Sequence, residues 1–198
     1  MIVNEDLLLS SGGTVQTYAP NDIIFREGSL PKYYFQIKKG IVKLNNYHED
    51  GKEVIYSVPT AGHCIAETFL FTDLSYPINA IAMTDCEVVQ MEKSRFLQLL
   101  NKFPDLLMKL SSYTAERMYY RYIMMDVFSN MDPAVRIKKV MDNLKSFNKY
   151  VDKYSYQFPF TRKQLASLTG LSVETVIRVI KKMEKEEIVK IVDRRIFY

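Results

Sequence analysis

FTRKQLASLTGLSVETVIRVIKKMEKEEIVKIVDRRIFY, residues 160–198, is the stretch on which the reading of this 198-residue chain turns. Thr161 with Gln164 three residues on is a capping box, which starts a helix. Leu165, Ala166 and Leu168 follow, and Gly170 ends the helix because glycine accepts the left-handed conformation of a tight exit. Ser172 then caps a second helix whose apolar side is Val176, Val179, Ile180 and Met183. Two helices joined by so short a turn must approach closely. Ala166 is small enough to permit the approach, Gly170 makes the corner, and Val176 wedges the second helix on the first. Leu165 and Leu171 seat the pair on a core. The spacing predicts a helix-turn-helix; a helical hairpin of other purpose can share it by chance.

In such a motif the second helix enters the DNA major groove with its first turns facing base edges. The residues exposed there are Val173, Glu174, Ile177 and Arg178, on a recognition helix of about 172–185. The fork of Arg178 suits guanine O6 and N7, Glu174 can accept from cytosine N4, and Val173 and Ile177 suit a thymine methyl. Glu174 and Arg178 lie four apart, so a surface ion pair competes with base reading. The residues placed for phosphate are Thr161, Arg162, Lys163, Ser172, Thr175, Lys181 and Lys182. The tail IVKIVDRRIFY predicts a hairpin, or wing, turning at Asp193-Arg194, with Arg195 or Arg194 reaching the DNA backbone. Residues 161–198 hold nine Lys/Arg against five acids, and the remainder of the chain balances at 18 of each, so all of the +4 net charge sits in this tail. That distribution suits a polyanion, and equally a solvated charged helix.

Upstream, residues 14–100 read as β-rich. YAPNDIIF, KYYFQIKKGIVKLNNY, KEVIYSVP and PINAIAMTDCEVVQM are short β-branched and aromatic runs punctuated by turn residues, and Asp50-Gly51 marks a hairpin. A barrel or roll is expected. From Lys93 the pattern turns helical, and Pro104 opens a long helix. One stripe of it, Leu106, Leu110, Tyr113, Arg117, Tyr120, Met124 and Val127, has the alternating spacing of a coiled-coil seam. The helix is apolar nearly all round, so it either packs wholly on its own β domain or on that domain and a second copy. Asp132-Pro133 reads as the cap and first residue of a further helix.

The two cysteines, Cys64 and Cys86, are far apart and predict neither a disulfide scaffold nor a zinc knuckle. The N-terminus is acidic where a signal peptide needs bases, and no apolar run approaches a membrane span of about 18 residues. A cytoplasmic protein is expected. Two histidines 15 residues apart do not supply the metal cluster that a β-roll enzyme of the cupin kind needs, so an enzyme is not expected. A ligand sensor acting through protein contacts is the other reading.

TRKQLASLTGLSVETVIRVIKKMEKEEIVK, and Ser172-Val173-Glu174-Thr175-Val176-Ile177-Arg178 within it, resembles the Crp/Fnr family of bacterial transcription regulators. The turns at Gly28, Gly40, Gly51 and Gly62 fall where that family's cyclic-nucleotide-type roll has them. The resemblance implies an α+β chain: a sensor over 1–103 built as a double-stranded β-helix (jelly roll), a dimerisation helix and hinge over 104–130, and a winged helix-turn-helix over 131–198. It implies a homodimer on a palindromic site, with RNA polymerase as a further partner of an activator. In CIAETFLFTDLSYPINA, Glu67 matches the family's ribose-binding glutamate, but Ala66 replaces a glycine and the phosphate-binding arginine falls on Tyr76 or Pro77. The adenine-holding positions fall on Arg121 and Tyr122. Glu67, Thr68, Tyr76, Arg121 and Tyr122 are thus the candidate effector pocket, with cyclic AMP not expected in it. The cysteine cluster of the iron–sulfur branch has no counterpart in the first 60 residues. His63-Cys64 is a candidate haem pair or a loop histidine beside a buried cysteine.

Overall fold

The computed structural model describes residues 1–147 and 150–198, with all their side chains but those of 127, 128 and 147. Val127, the last residue of the predicted stripe, therefore lies outside the described side chains. By contact the chain divides into two compact units, Met1–Met118 and Tyr119–Tyr198.

The first unit opens with α1 (Glu5–Ser10), capped by the Asn4 side chain. Strands β1 (Thr14–Tyr18), β2 (Ile23–Phe25), β3 (Tyr33–Lys39), β4 (Val42–Tyr47), β5 (Glu53–Ser57), β6 (Cys64–Ile65), β7 (Asn79–Ala82) and β8 (Cys86–Glu92) follow, with a short 3-10 helix at Glu67–Phe71. They form two antiparallel sheets, ordered β1-β8-β3-β6 and β2-β7-β4-β5. Pairing of β1 with β8, the first and last strands, rolls the chain into the predicted jelly roll. The Asp50-Gly51 hairpin joins β4 to β5. Helix α2 (Lys93–Lys102) follows, and the long helix α3 (Pro104–Ser129) begins at Pro104 and passes from the first unit into the second.

Strands β3 and β8 do not alternate buried with exposed. Tyr34, Phe35, Gln36 and Ile37 are all buried, because each face of β3 meets its own core. Phe35 and Ile37, with Val88 of β8, fill the roll interior alongside Phe25, Val42, Leu44, Tyr76 and Ala80. The opposite face carries Tyr34, Val89 and Met91 into a second core with Val3, Leu8, Phe96, Leu99, Leu106, Leu110 and Tyr113. There Tyr34 stacks on Phe96, centroids 3.9 Å apart and planes 8° apart. Gln36 would be costly in such a core without partners. Its Oε1 accepts from the Val3 N–H (3.0 Å) and the Tyr34 hydroxyl (2.8 Å), and its Nε2 donates to the Val3 carbonyl (2.9 Å).

The second unit holds the remainder of α3, α4 (Pro133–Phe147), β9 (Gln157–Phe158), α5 (Arg162–Thr169), α6 (Val173–Lys185), β10 (Lys190–Val192) and β11 (Arg195–Phe197). The strands form a small sheet ordered β10-β11-β9. Ile137, Val140 and Met141 of α4 are buried, as are Leu165, Val176, Ile180, Met183 and Ile196. Asp132 caps α4, its Oδ1 accepting from the Ala134 N–H at 2.8 Å. Among the described residues no helix is long and apolar enough to cross a membrane.

Gly40 turns β3 into β4 with φ +96°, and a Cβ there would stand 2.5 Å from the Asp85 carbonyl oxygen and 2.5 Å from Cys86 Sγ. Gly40→Ala is expected to lower stability to urea by about 2–4 kcal/mol, from backbone strain and overpacking together. An unchanged urea midpoint would show that this turn does not constrain the roll.

Candidate nucleic-acid interface and sensor site

The helix-turn-helix forms as its sequence requires. The Thr161 hydroxyl accepts from the Gln164 N–H (3.2 Å) and Gln164 Oε1 accepts from the Thr161 N–H (2.9 Å), completing the capping box. Gly170 is left-handed at φ +66° and returns its N–H to the Ala166 carbonyl, as does Leu171 at 3.1 Å. Ser172 Oγ accepts from the Thr175 N–H at 3.2 Å and starts α6. Ala166 is buried, as are Val176, Val179, Ile180 and Met183, so α6 can present only its opposite side.

That side carries Glu174, Ile177, Arg178, Lys181 and Lys182, all exposed, with Val173 and Thr175 half-buried. Glu174 and Arg178 form no ion pair with each other among the described residues, so both are available to a ligand. Lys182 lies 3.7 Å from Glu186, an exposed pair worth little. The wing is the hairpin β10–β11, turning at Asp193 and Arg194, both with positive φ. Such a two-residue turn matches the strand twist, usually with Asn-Gly. Arg162 donates to the Arg194 carbonyl oxygen, which fastens the wing turn to the start of α5. Lys163 and Arg195 are exposed. Sequence reasoning missed the Arg162 tie, because only the folded chain brings residues 162 and 194 together.

The residues expected to form the effector pocket are divided between the two units. Glu67 is 2% exposed, and its carboxylate accepts from Arg117 Nη1 at 3.0 and 3.3 Å. The same Nη1 donates to the Cys64 carbonyl oxygen (3.2 Å), which also accepts from the Tyr113 hydroxyl (3.1 Å). Arg117, which interrupts the predicted seam, is therefore the partner of Glu67. Thr68 is half-buried. Tyr76 is 2% exposed, stacked on Phe25 at 4.0 Å and edge-on to Phe69. Its hydroxyl has no hydrogen-bond partner among the described residues, and burial pushes its pKa up to about 12, so it stays neutral. Arg121 and Tyr122 are exposed residues of the second unit. Cys64 is fully buried; burial, then the Glu67 carboxylate, push its thiol well above the ordinary range. His63 sits in the turn before it, Nδ1 3.0 Å from the Thr60 carbonyl oxygen.

The first part of the stripe predicted as a seam packs within the first unit itself. Leu106, Leu110 and Tyr113 lie in the chain's own second core and Arg117 faces Glu67, so through Arg117 this stripe is the inward face of α3. Tyr120 and Met124 are half-buried. Among the exposed apolar residues of α3, Met108, Met118, Tyr122 and Met125 lie about half a turn away, with Ser111 and Ala115 on the same line and Leu107 and Tyr119 to either side of it. Because α3 is apolar on both sides, periodicity does not say which side its own domain takes.

A jelly roll followed by a long helix and a winged helix-turn-helix is the architecture of a ligand-type sensor joined to a DNA reader. Two family models match the chain in that order: a cyclic nucleotide-binding domain over residues 15–103 and a Crp-like helix-turn-helix domain over 139–197. The chain belongs to the Crp/Fnr family of DNA-binding transcription regulators. The cAMP-activated global transcriptional regulator CRP of Salmonella typhimurium is 29% identical to it over 177 residues, 88% of this chain and 84% of that protein. The cyclic AMP receptor protein of Thermus thermophilus is 24% identical over 174 residues, 88% of this chain and 78% of that one. The c-di-GMP responsive global regulator CLP of Xanthomonas campestris shares the fold, with a TM-score of 0.82 at 19% identity over 97% of this chain and 96% of that one.

Removing Arg117 would leave Glu67 buried and uncompensated. Arg117→Met is expected to destabilise the first unit by about 3–5 kcal/mol, and adding Glu67→Met to recover most of it. Urea unfolding of both variants measures this. Equal stability of Arg117→Met and wild type would show that the pair is not buried in solution.

Proposed function

We propose that this regulator binds a palindromic operator as a homodimer, with α6 of each copy in the major groove. The observation that carries the reading is the docking of α6. Ala166, Gly170 and Val176 hold its apolar side down, which leaves Glu174 and Arg178 unpaired on its exposed side. Arg178 supplies a two-pronged donor for guanine, Glu174 an acceptor for cytosine N4, and Val173 and Ile177 apolar contacts for thymine. Thr161, Arg162, Lys163, Ser172, Thr175, Lys181, Lys182 and Arg195 supply the phosphate contacts that set register. Arg162 does so while holding the wing.

The second copy packs on the exposed line Met108, Ser111, Ala115, Met118, Tyr122 and Met125 of α3, whose alternating spacing of three and four suits a coiled-coil seam. Small residues at 111 and 115 let two helices approach, and the methionines adapt to each other's shape. Two copies would then read half-sites about one DNA turn apart. Such a regulator works in the cytoplasm, and RNA polymerase is its further partner if it activates.

The sensor does not fit a cyclic nucleotide. A phosphate diester needs a cation, and the position that would supply one falls on Tyr76, neutral and packed on Phe25, or on Pro77. Glu67, which would hold the ribose, is taken by Arg117.

Selection of bound duplexes from a random library tests the reading, with a palindrome expected. Arg178→Ala is expected to lose about 1–3 kcal/mol of preference for one base pair per half-site while keeping weak, salt-sensitive binding. An unchanged selected sequence in that variant would overturn the assignment of Arg178. Met118→Lys places a charge on the proposed seam and is expected to yield monomers in sedimentation equilibrium. A dimer of undiminished affinity would refute the seam.

A further inference from the structure

Arg136, on α4, carries no signal in the sequence. Its guanidinium nevertheless makes three hydrogen bonds to the backbone. Nε and Nη2 donate to the Asn130 carbonyl oxygen at 3.1 and 2.7 Å, and Nη1 donates to the Thr169 carbonyl oxygen at 3.0 Å. Asn130 is the first residue after α3, and Thr169 is the last of α5, immediately before the turn at Gly170. One rigid side chain thus joins the end of the long helix to the corner of the helix-turn-helix.

Both acceptors need such a partner. The last four carbonyls of a helix have none within it, and a cation at that end also meets the negative end of the helix dipole. Thr169 is fully buried, its hydroxyl turned back to the Leu165 carbonyl (2.7 Å), so the hydroxyl is already committed along its own helix. Around Asn130 the chain is held further. Its Oδ1 accepts from the Asp132 N–H at 3.0 Å, and Lys139 pairs with Asp126 of α3 at 2.6 Å. The Lys139 pair is exposed, so the charge-assisted bonds of Arg136 hold the junction more firmly.

We infer that Arg136 is a positioning residue for DNA reading, fixing the corner of the helix-turn-helix to the end of α3 by bridging the Asn130 and Thr169 carbonyls. A change in α3 then moves Asn130, and through one guanidinium moves the turn on which α6 is mounted. The inference rests on α6 being the reading helix. Lysine cannot replace arginine here, because a single ammonium does not span two carbonyls on separate helices as a planar fork does.

The test uses the 198-residue chain and the duplex selected by wild type. Specific and nonspecific dissociation constants are measured across salt for wild type, Arg136→Ala and Arg136→Lys, with a thermal unfolding curve of each. Both variants are expected to bind the selected duplex about tenfold more weakly or worse, with nonspecific affinity and the salt slope unchanged. A slope reduced by about 0.9 would make Arg136 a phosphate contact and overturn the inference. Lowered thermal stability with unchanged specific affinity would make it merely structural, and full specific binding by Arg136→Lys would make charge alone sufficient; either result overturns the bridging role. A wild-type chain with no sequence preference would instead defeat the base-reading assignment on which the inference depends.

Discussion

Burial of β3 and β8 on both faces is the constraint from which the first unit follows. A strand in a one-sided sheet needs only one apolar face. A strand covered on both faces needs two cores and must satisfy every polar group between them. Here one face closes the roll, and the other receives the N-terminal segment, α2 and the start of α3. Gln36 is the polar residue this arrangement tolerates, because the backbone of Val3 and the hydroxyl of Tyr34 meet its amide. The long helix is seated by the same face, through Leu106, Leu110 and Tyr113.

That seating brings Arg117 to Glu67. The pair lies where the carbonyl of Cys64 collects hydrogen bonds from both Tyr113 and Arg117, so the short helix after β6 and the long helix share one polar node in an otherwise apolar region. The roll interior beside it is closed by aromatic stacking of Tyr76 and Phe25. The first unit therefore keeps the architecture of a nucleotide sensor with the charge relationships of an internally satisfied one. Its buried carboxylate already has a cation in Arg117.

The second unit solves a different problem: holding one helix firmly while leaving its other side exposed. Val176, Val179, Ile180 and Met183 anchor α6. Two arginines secure the surroundings by gripping main-chain carbonyls, Arg162 at the wing turn and Arg136 at the end of α5. Guanidinium groups suit this work because their donors are fixed in a plane and always charged. Among the described residues, the cations on the exposed side of α6 grip no main-chain carbonyl.

Much of this was legible in the sequence. The capping box at Thr161, the corner at Gly170, the cap at Ser172, the Asp50-Gly51 hairpin and the start of α3 at Pro104 all appear as read, since caps and turns are decided by a few adjacent residues. Apolar periodicity likewise determined which side of α6 is buried, because that helix has one apolar side. It could not decide α3, which is apolar nearly all round; Leu106, Leu110 and Tyr113 pack into the second core of the first unit, and Met118 and Met125 are exposed. Nor could it assign Arg117, Arg136 and Arg162 their distant acceptors at Cys64, Thr169 and Arg194, which lie 32 to 53 residues away in sequence. Local spacing determines that a side chain lies on a face. What that face meets depends on how distant segments pack, and only the tertiary structure decided it.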